Sequence, residues 1–584
     1  MTESTFPRGP SAAALALVWL ACGGCDHEKA GIGTTATTAT QSQQATEVFK
    51  YAIGMLDDMD ESDATPAERD EDSSNLALDR AAEKLLEGGT AATVVTQLNQ
   101  WIASQKPSPD WRPARLLETL PATLRAAKTL KELESLSFPL RDGPELRQVM
   151  WLRGVAAVAT PESTDDLDRA VRLFDWTIRN IQLESPESLP PAAAHLPWQS
   201  IVFGRGHANE RAWVFALLAR QQGLDVVMLA RAAAHGDEPE ETGLAALAID
   251  GRFYLFDPRL GLPIPGPEGK GVATLDEAAD DDALLRRLDL DSEHPYPLKS
   301  SDLDHVVAMV EASPNYLSQR MWMVESHLAG GQRPVLALDA DDLARRLRAC
   351  AHISDVRIWP FPYRRLREAG RRKRNDNDAA PLVIAADPLL AEMAPFVLPF
   401  VMKRKKNDKP KPVAALWRGR VLHLLGRFTG DEGANFFYQL SRPPDIDLEQ
   451  QALRAVELAK ALVQRGPEGR ATAEQLVHAT DQNIALIRRA KEDASYWLGL
   501  AAFERAGREQ RRDLYETAID YFSQRTLAAT PGGPWTHGAE YNLARTYEAL
   551  GRSDEARRTY RQDEDAPQHH GNMLRARWLE GAAP

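Results

Sequence analysis

FGRGHANERAWVFALLARQQGLDVVML, residues Phe203 to Leu229, decides the fold, together with a later companion, IDGRFYLFDPRLGLPIP, Ile249 to Pro265. In the first, glycines and Asn209 mark a helix start, Ala212 to Ala219 is apolar nearly all round, and Gly223 ends the run. A helix with no polar face belongs inside a core. Leu224 to Leu229 then reads as a short buried strand, rich in valine and leucine. The companion carries Leu244 to Ile249, the turn signal Asp250-Gly251, Phe253 to Phe256, and Asp257-Pro258. That pattern predicts a β-hairpin with an acid at the end of its second strand.

A buried helix, a strand, a hairpin and a terminal Asp-Pro in this order resemble the transglutaminase-like, papain-like superfamily, over roughly Trp151 to Pro265. The resemblance implies an α+β core. In that family a G-x-C-x-x-x-A pattern opens the core helix with a nucleophilic cysteine, a histidine stands on the first hairpin strand, and an aspartate follows the second. A thiolate at a helix N-terminus is stabilised by the dipole, the imidazole takes its proton, and the carboxylate orients the imidazole. Laid on Gly206 and Ala212, the pattern puts Ala208 where the cysteine belongs. Counting back from Asp257 places Thr242, give or take a residue, where the histidine belongs. Only Asp257 matches, so the resemblance implies a degenerate, non-catalytic member that needs no cofactor.

Other readings of these residues stay open. His207, Glu210 and Asp257 could form an acid/base site acting on peptide amide bonds, provided they converge on one cleft. Alternatively, His207 is a helix-start residue bonded to backbone. Arg205, Arg211 and Arg259 either line an anion site at the helix start or serve as ion-pair partners for Glu210 and Asp257, and the second is preferred.

At the N-terminus an apolar run from Ala12 to Ala21 follows Arg8. It is shorter than the ~20 residues of a membrane-spanning helix, and its length suits an export signal, residues 1–21. Cys22 and Cys25 each resemble the lipidated cysteine of a bacterial lipoprotein signal, Cys22 slightly the better; this implies membrane anchoring in the cell envelope, facing the periplasm. A cleaved secretory signal is the alternative. Cys350 is the only other cysteine, so neither a disulfide framework nor metal-ligand spacing is present in the sequence. Residues 22–75, beginning with a threonine-, alanine- and glutamine-rich tract and becoming dense in acids from Asp57, read as a flexible tether within which Glu47 to Asp60 could form a short helix.

Apolar residues at three- and four-residue spacing predict a helical region from about residue 76, running into a transglutaminase-like domain to residue 300. Ser163 to Asp166 forms a capping start, and the helix after it sets Leu167, Ala170, Val171, Phe174, Ile178 and Ile181 on one face. Residues 301–413 are expected to be a small α/β extension with strands at Val335–Leu338 and Val356–Trp359. Basic runs at Tyr363–Asn375 and Lys403–Pro412 read as solvated loops, with contact to anionic phospholipid or another envelope polymer as the alternative. A formal charge of −14 and the lack of interleaved aromatics argue against nucleic acid.

Residues 414–584 are helical in pattern. Between 495 and 562, Tyr496-Trp497-Leu498-Gly499 through Phe522 and Tyr541-Asn542-Leu543-Ala544 through Tyr560 resemble two tetratricopeptide units, the first with an insertion around Arg508–Arg512. That resemblance implies a concave surface for a peptide or protein partner; a plain helical bundle is the alternative. The whole chain reads as a multidomain α+β protein: a helical N-terminal region, a papain-like core and a C-terminal helical array.

Overall fold

The computed structural model describes residues 34–57, 81, 91–125, 127–161, 163–185, 195–232, 239–328, 333–375, 388–402 and 411–581. The export signal, Cys22, Cys25 and residues 403–410 of the second basic run lie outside the described residues.

The protein is a mixed α+β structure. Helices α1 (Thr34–Asp57), α2 (Ala91–Ile102), α3 (Asp142–Ala159) and α4 (Asp166–Asn180) lead into the short strand β1 (Gln182–Leu183), which pairs in parallel with β2 (Arg205–Gly206). The core helix α5 (Ala208–Arg220) follows, then β3 (Asp225–Arg231) and the hairpin of β4 (Glu240–Ile249) and β5 (Arg252–Asp257). Asp250 and Gly251 turn that hairpin with φ of 49° and 79°, the left-handed pair that a two-residue turn demands. With β6 (Leu262–Pro263), β7 (Val306–Val310) and β8 (Ile353–Ile358) these strands make a six-stranded sheet in the order β6-β5-β4-β3-β7-β8. All of its pairs are antiparallel except β7 with β8.

Both faces of the sheet are covered. On β3, Val226, Met228 and Ala230 join a cluster shared with α4 and α5, while Val227 and Leu229 face a second cluster built from Leu116, Leu285 and Leu343 among others. A strand buried on both sides needs apolar residues at every position, and so Leu224–Leu229 shows no alternation. The stretch 301–413 supplies β7 and β8 to this same sheet. Val335–Leu338, expected as a strand, is irregular: its backbone groups are taken singly, Val335 N–H and C=O by the Gln221 amide, Leu336 N–H by Glu325 and Leu338 N–H by the Tyr316 carbonyl.

Residues 34–57, assigned above to the tether, form α1. Phe49 lies 4.6 Å from the Trp101 ring of α2 and Ala52 is fully buried, with Ala45, Val48, Ile53 and Met55 packed against the same cluster, so the second half of this helix is held on the core. In α4 the cap is Asp165, whose carboxylate accepts from the Asp168 N–H at 2.7 Å.

The C-terminal third is helical after a short antiparallel ribbon, Pro399–Met402 with Lys411–Ala414. Its later helices are α6 (Asp445–Val463), the long α7 (Pro467–Glu509), α8 (Arg512–Asp520), α9 (Thr536–Ala549), α10 (Ser553–Gln562) and α11 (His569–Gly581). The segments resembling repeat units form the antiparallel pairs α7/α8 and α9/α10, with the predicted insertion at the turn where Gln510 adopts φ of 52°. One apolar cluster runs from Phe49 through α5 to Tyr496, Trp535 and Ala576, so these pairs pack on the core.

Candidate functional site

Ala208 is the first residue of α5, half-buried, and presents only a methyl group there. The residues around it are tied to one another. Glu210 is buried, accepts the His207 N–H at 3.2 Å in a capping arrangement and binds Arg365 Nη2 at 2.7 Å. His207 Nδ1 lies 3.2 Å from the Glu184 carbonyl. Asn209 donates to Glu241 Oε2 at 3.0 Å, and the Trp359 indole donates to the other oxygen at 2.9 Å. The helix start is thus closed by Glu241, Trp359 and Arg365. The last of these comes from the first basic run, which forms the helix Pro360–Asn375.

Thr242 is on β4, where its hydroxyl donates to the Leu229 carbonyl at 2.8 Å and accepts from the Leu244 N–H at 3.2 Å. It braces the strand where the β3–β4 register shifts, between Met228 and Ala230.

Asp257 does not join the helix start. Side chains alternate along β5: Phe256 packs with α4 and α5, and Phe253 and Leu255 belong to the opposite cluster. Asp257 therefore falls on the far face. There its carboxylate accepts the N–H groups of Arg259 and Leu260, both at 2.8 Å, and the Tyr296 hydroxyl at 2.8 Å. Burial raises its pKa against those three hydrogen bonds. The acid/base trio His207, Glu210 and Asp257 is not brought together.

Arg205 and Arg211 do not pair with Glu210 or Asp257 as expected, because their packing directs them elsewhere, and the exposed Arg259 makes no side-chain ion pair with Asp257. Arg211 donates to the carbonyls of Ile181 (2.8 Å) and Pro258 (3.1 Å) and to Gln568 Oε1 (2.6 Å); burial lowers its pKa to about 10. Arg205 lies 4.3 Å over the Trp535 ring, with Glu184 at 4.0 Å. Arg259 meets Asp257 through its backbone N–H, and its charge lowers the Asp257 pKa slightly against burial.

A second region was not singled out in the sequence. Asn542 donates to the Arg179 carbonyl at 3.1 Å, the Tyr496 hydroxyl reaches the same carbonyl at 3.4 Å, and the Gly538 N–H donates to Gln182 Oε1 at 2.8 Å. One face of α7 and α9 is thereby engaged by the chain's own residues 179–182. Beside this contact lies a cleft of about 540 Å³ between α4 and the C-terminal helices. Trp176, Phe428, Phe503 and Trp578 supply its apolar walls, and Arg508 and Arg575 stand at its polar side.

Charges in that cleft are strongly interdependent. Burial works to raise the Asp175 pKa, but Arg545, Arg179 and Arg575 outweigh it and hold the carboxyl far below its usual range. Asp175 bonds Arg179 at 2.8 Å and Arg545 at closer range. Burial also opposes ionisation of Glu504, yet His423, Arg179 and Asn180 bring it down to about 2. Asn180 donates to Glu504 at 2.8 Å, and His423 Nε2 faces it at 3.4 Å. Arg508 is exposed, lies 5.1 Å over Phe428 and donates to the Gly426 carbonyl at 3.2 Å.

The sequence signal for this cleft is faint: Asp175 and Arg179 sit one helical turn apart, but Glu504, Arg545 and Arg575 come from three distant helices. Among the described residues no group of three or more His, Cys, Asp and Glu side chains could hold a metal ion, and no helix is long and apolar enough to cross a membrane. No family model, no curated protein and no solved structure matches this chain.

Proposed function

We propose that the chain is an exported, lipid-anchored binding protein, with a catalytically degenerate transglutaminase-like core and a tetratricopeptide-like helical array that together hold a peptide segment of a partner protein. The observation that carries this reading is the cleft of about 540 Å³ between α4 and the C-terminal helices, with aromatic walls and an arginine side. It favours a peptide that combines a carboxylate with a large apolar side chain. Ala208, with no nucleophilic atom, and Asp257, turned to the opposite sheet face, support binding without turnover.

The test is binding of a pooled fluorescent dodecapeptide library to the full chain, with Arg508→Glu and Trp578→Ala as variants. Retention of acidic, aromatic-containing peptides that either variant weakens roughly tenfold is the expected result, as losing a charge-assisted contact implies. Hydrolysis or cross-linking of those peptides that His207→Ala abolishes would replace this reading with an enzymatic one. Anchoring is read separately, by incorporation of labelled fatty acid that Cys22→Ser or Cys25→Ser removes.

A further inference from the structure

Helix α6 carries an apolar stripe that is exposed among the described residues. Its inner side packs on α7 through Leu448 and Ala459. On another side Ile446 is 55 % exposed, Leu453 63 %, Val456 40 % and Val463 40 %. They are four of the five exposed large apolar side chains of this helix among the described residues; the fifth, Leu458, 55 % exposed, falls off their line.

Their spacing is regular. Ile446, Glu449, Leu453, Val456, Lys460 and Val463 follow one another at alternating three- and four-residue steps, the a and d positions of a heptad. Glu449 and Lys460, both exposed, interrupt an otherwise apolar seam. The seam is self-complementary in one direction only. Laid antiparallel on a second copy about a two-fold axis between Arg454 and Ala455, Ile446 faces Val463, Glu449 faces Lys460 and Leu453 faces Val456. Each pairing occurs twice, as an isologous interface requires. Laid parallel, Glu449 would meet Glu449 and Lys460 would meet Lys460.

We infer that α6 is a dimerisation helix: the chain pairs with a second copy of itself through an antiparallel α6–α6 seam whose register is set by two Glu449–Lys460 ion pairs. A membrane surface is the poorer occupant. The helix carries four acids, Asp445, Asp447, Glu449 and Glu457, against two bases, Arg454 and Lys460, whereas helices that lie on anionic lipid are rich in lysine and arginine. The helix is about 28 Å long at 1.5 Å per residue, so the seam is short and association is expected in the micromolar range.

The experiment is sedimentation equilibrium of the full chain over a range of concentrations, with circular dichroism to establish that each variant is folded. Wild type is expected to dimerise. Glu449→Lys and Lys460→Glu each set like charges opposite one another twice per dimer, and each is expected to weaken dimerisation by roughly tenfold or more. The double variant Glu449→Lys/Lys460→Glu re-forms both pairs with inverted polarity and should recover most of the loss. In a second measurement, oxidised Ile446→Cys/Val463→Cys should give a disulfide-linked dimer that neither single variant gives, since in the antiparallel seam like positions are about 25 Å apart. A wild-type chain that is monomeric at about 100 μM, a double charge variant that stays monomeric, or a dimer indifferent to all four substitutions would overturn the inference. Monomeric chain that instead sediments with phosphatidylglycerol vesicles would assign the stripe to lipid.

Discussion

The start of helix α5 and the cleft beside α4 are both places where charged residues gather at helix ends, and the fold treats them in opposite ways. At the helix start the acidic and amide side chains are taken up by neighbours: Glu210 by Arg365 and the His207 N–H, Asn209 by Glu241, and nearby Thr242 by the Leu229 carbonyl. In the cleft the charges hold one another, Asp175 with Arg179 and Arg545, Glu504 with Arg179, and leave a space of about 540 Å³ between them. A site whose partners are all internal is a brace. One whose charges balance around an opening keeps room for a ligand.

The strongest way to break this contrast is Arg545→Met. It removes one of the two cations bound to the half-buried Asp175 carboxylate and leaves Arg179 as its remaining partner, so a loss of about 3 kcal/mol is expected, seen as a lowered denaturant midpoint. A change of similar kind at the seam between core and helices is Gly571→Ala. Its added methyl would lie 1.8 Å from the Leu260 carbonyl oxygen, so α11 must shift off the core, at about 3 kcal/mol, checked by thermal melting.

Glu504 sharpens the contrast through pH. Its carboxyl is depressed from an ordinary 4.5 to about 2, so its contribution is present above 4.5 and is lost as pH falls from 4.5 towards 2. Glu504→Gln should cost about 2 kcal/mol at pH 7 and flatten the acid limb of the stability profile, as chemical denaturation at several pH values will show.

The smallest effect is expected at the helix start. Ala208→Cys adds one sulfur at a half-buried position and should change stability by no more than about 0.5 kcal/mol. Its thiol should alkylate faster than Cys350, whose pKa burial raises, because the helix dipole favours the thiolate. Peptide hydrolysis should still not appear, since Thr242 cannot accept the thiol proton as an imidazole does and Asp257 faces the other way.

How much was legible beforehand differs between the two regions for a physical reason. The all-apolar run Ala212–Ala219, the unbroken strand Val226–Leu229 and the Asp250-Gly251 turn are local signals, and each became the element it predicts. The side on which Asp257 falls was equally local, since a period of two from Phe256 sets it, yet alignment to a motif hid it. Helix α1 is only partly legible, because its first half is threonine, alanine and glutamine and the apolar residues that pack on the core, Ala45 to Met55, are confined to its second half. The cleft, by contrast, joins residues more than 320 positions apart, such as Asn180 with Glu504 and Asp175 with Arg545, and no window along the chain contains both partners.

The sequence by itself determined the core helix, the strand after it, the hairpin with its turn, and the absence of a nucleophile at position 208, because these depend on periodicity and residue chemistry over a few neighbours. Tertiary structure alone decided that the helix start is filled, that Asp257 looks away from it, that one face of α7 and α9 grips residues 179–182, and that a charged cleft stays open beside α4. Burial and ion pairing act through space, and the distance that governs them is not written along the chain.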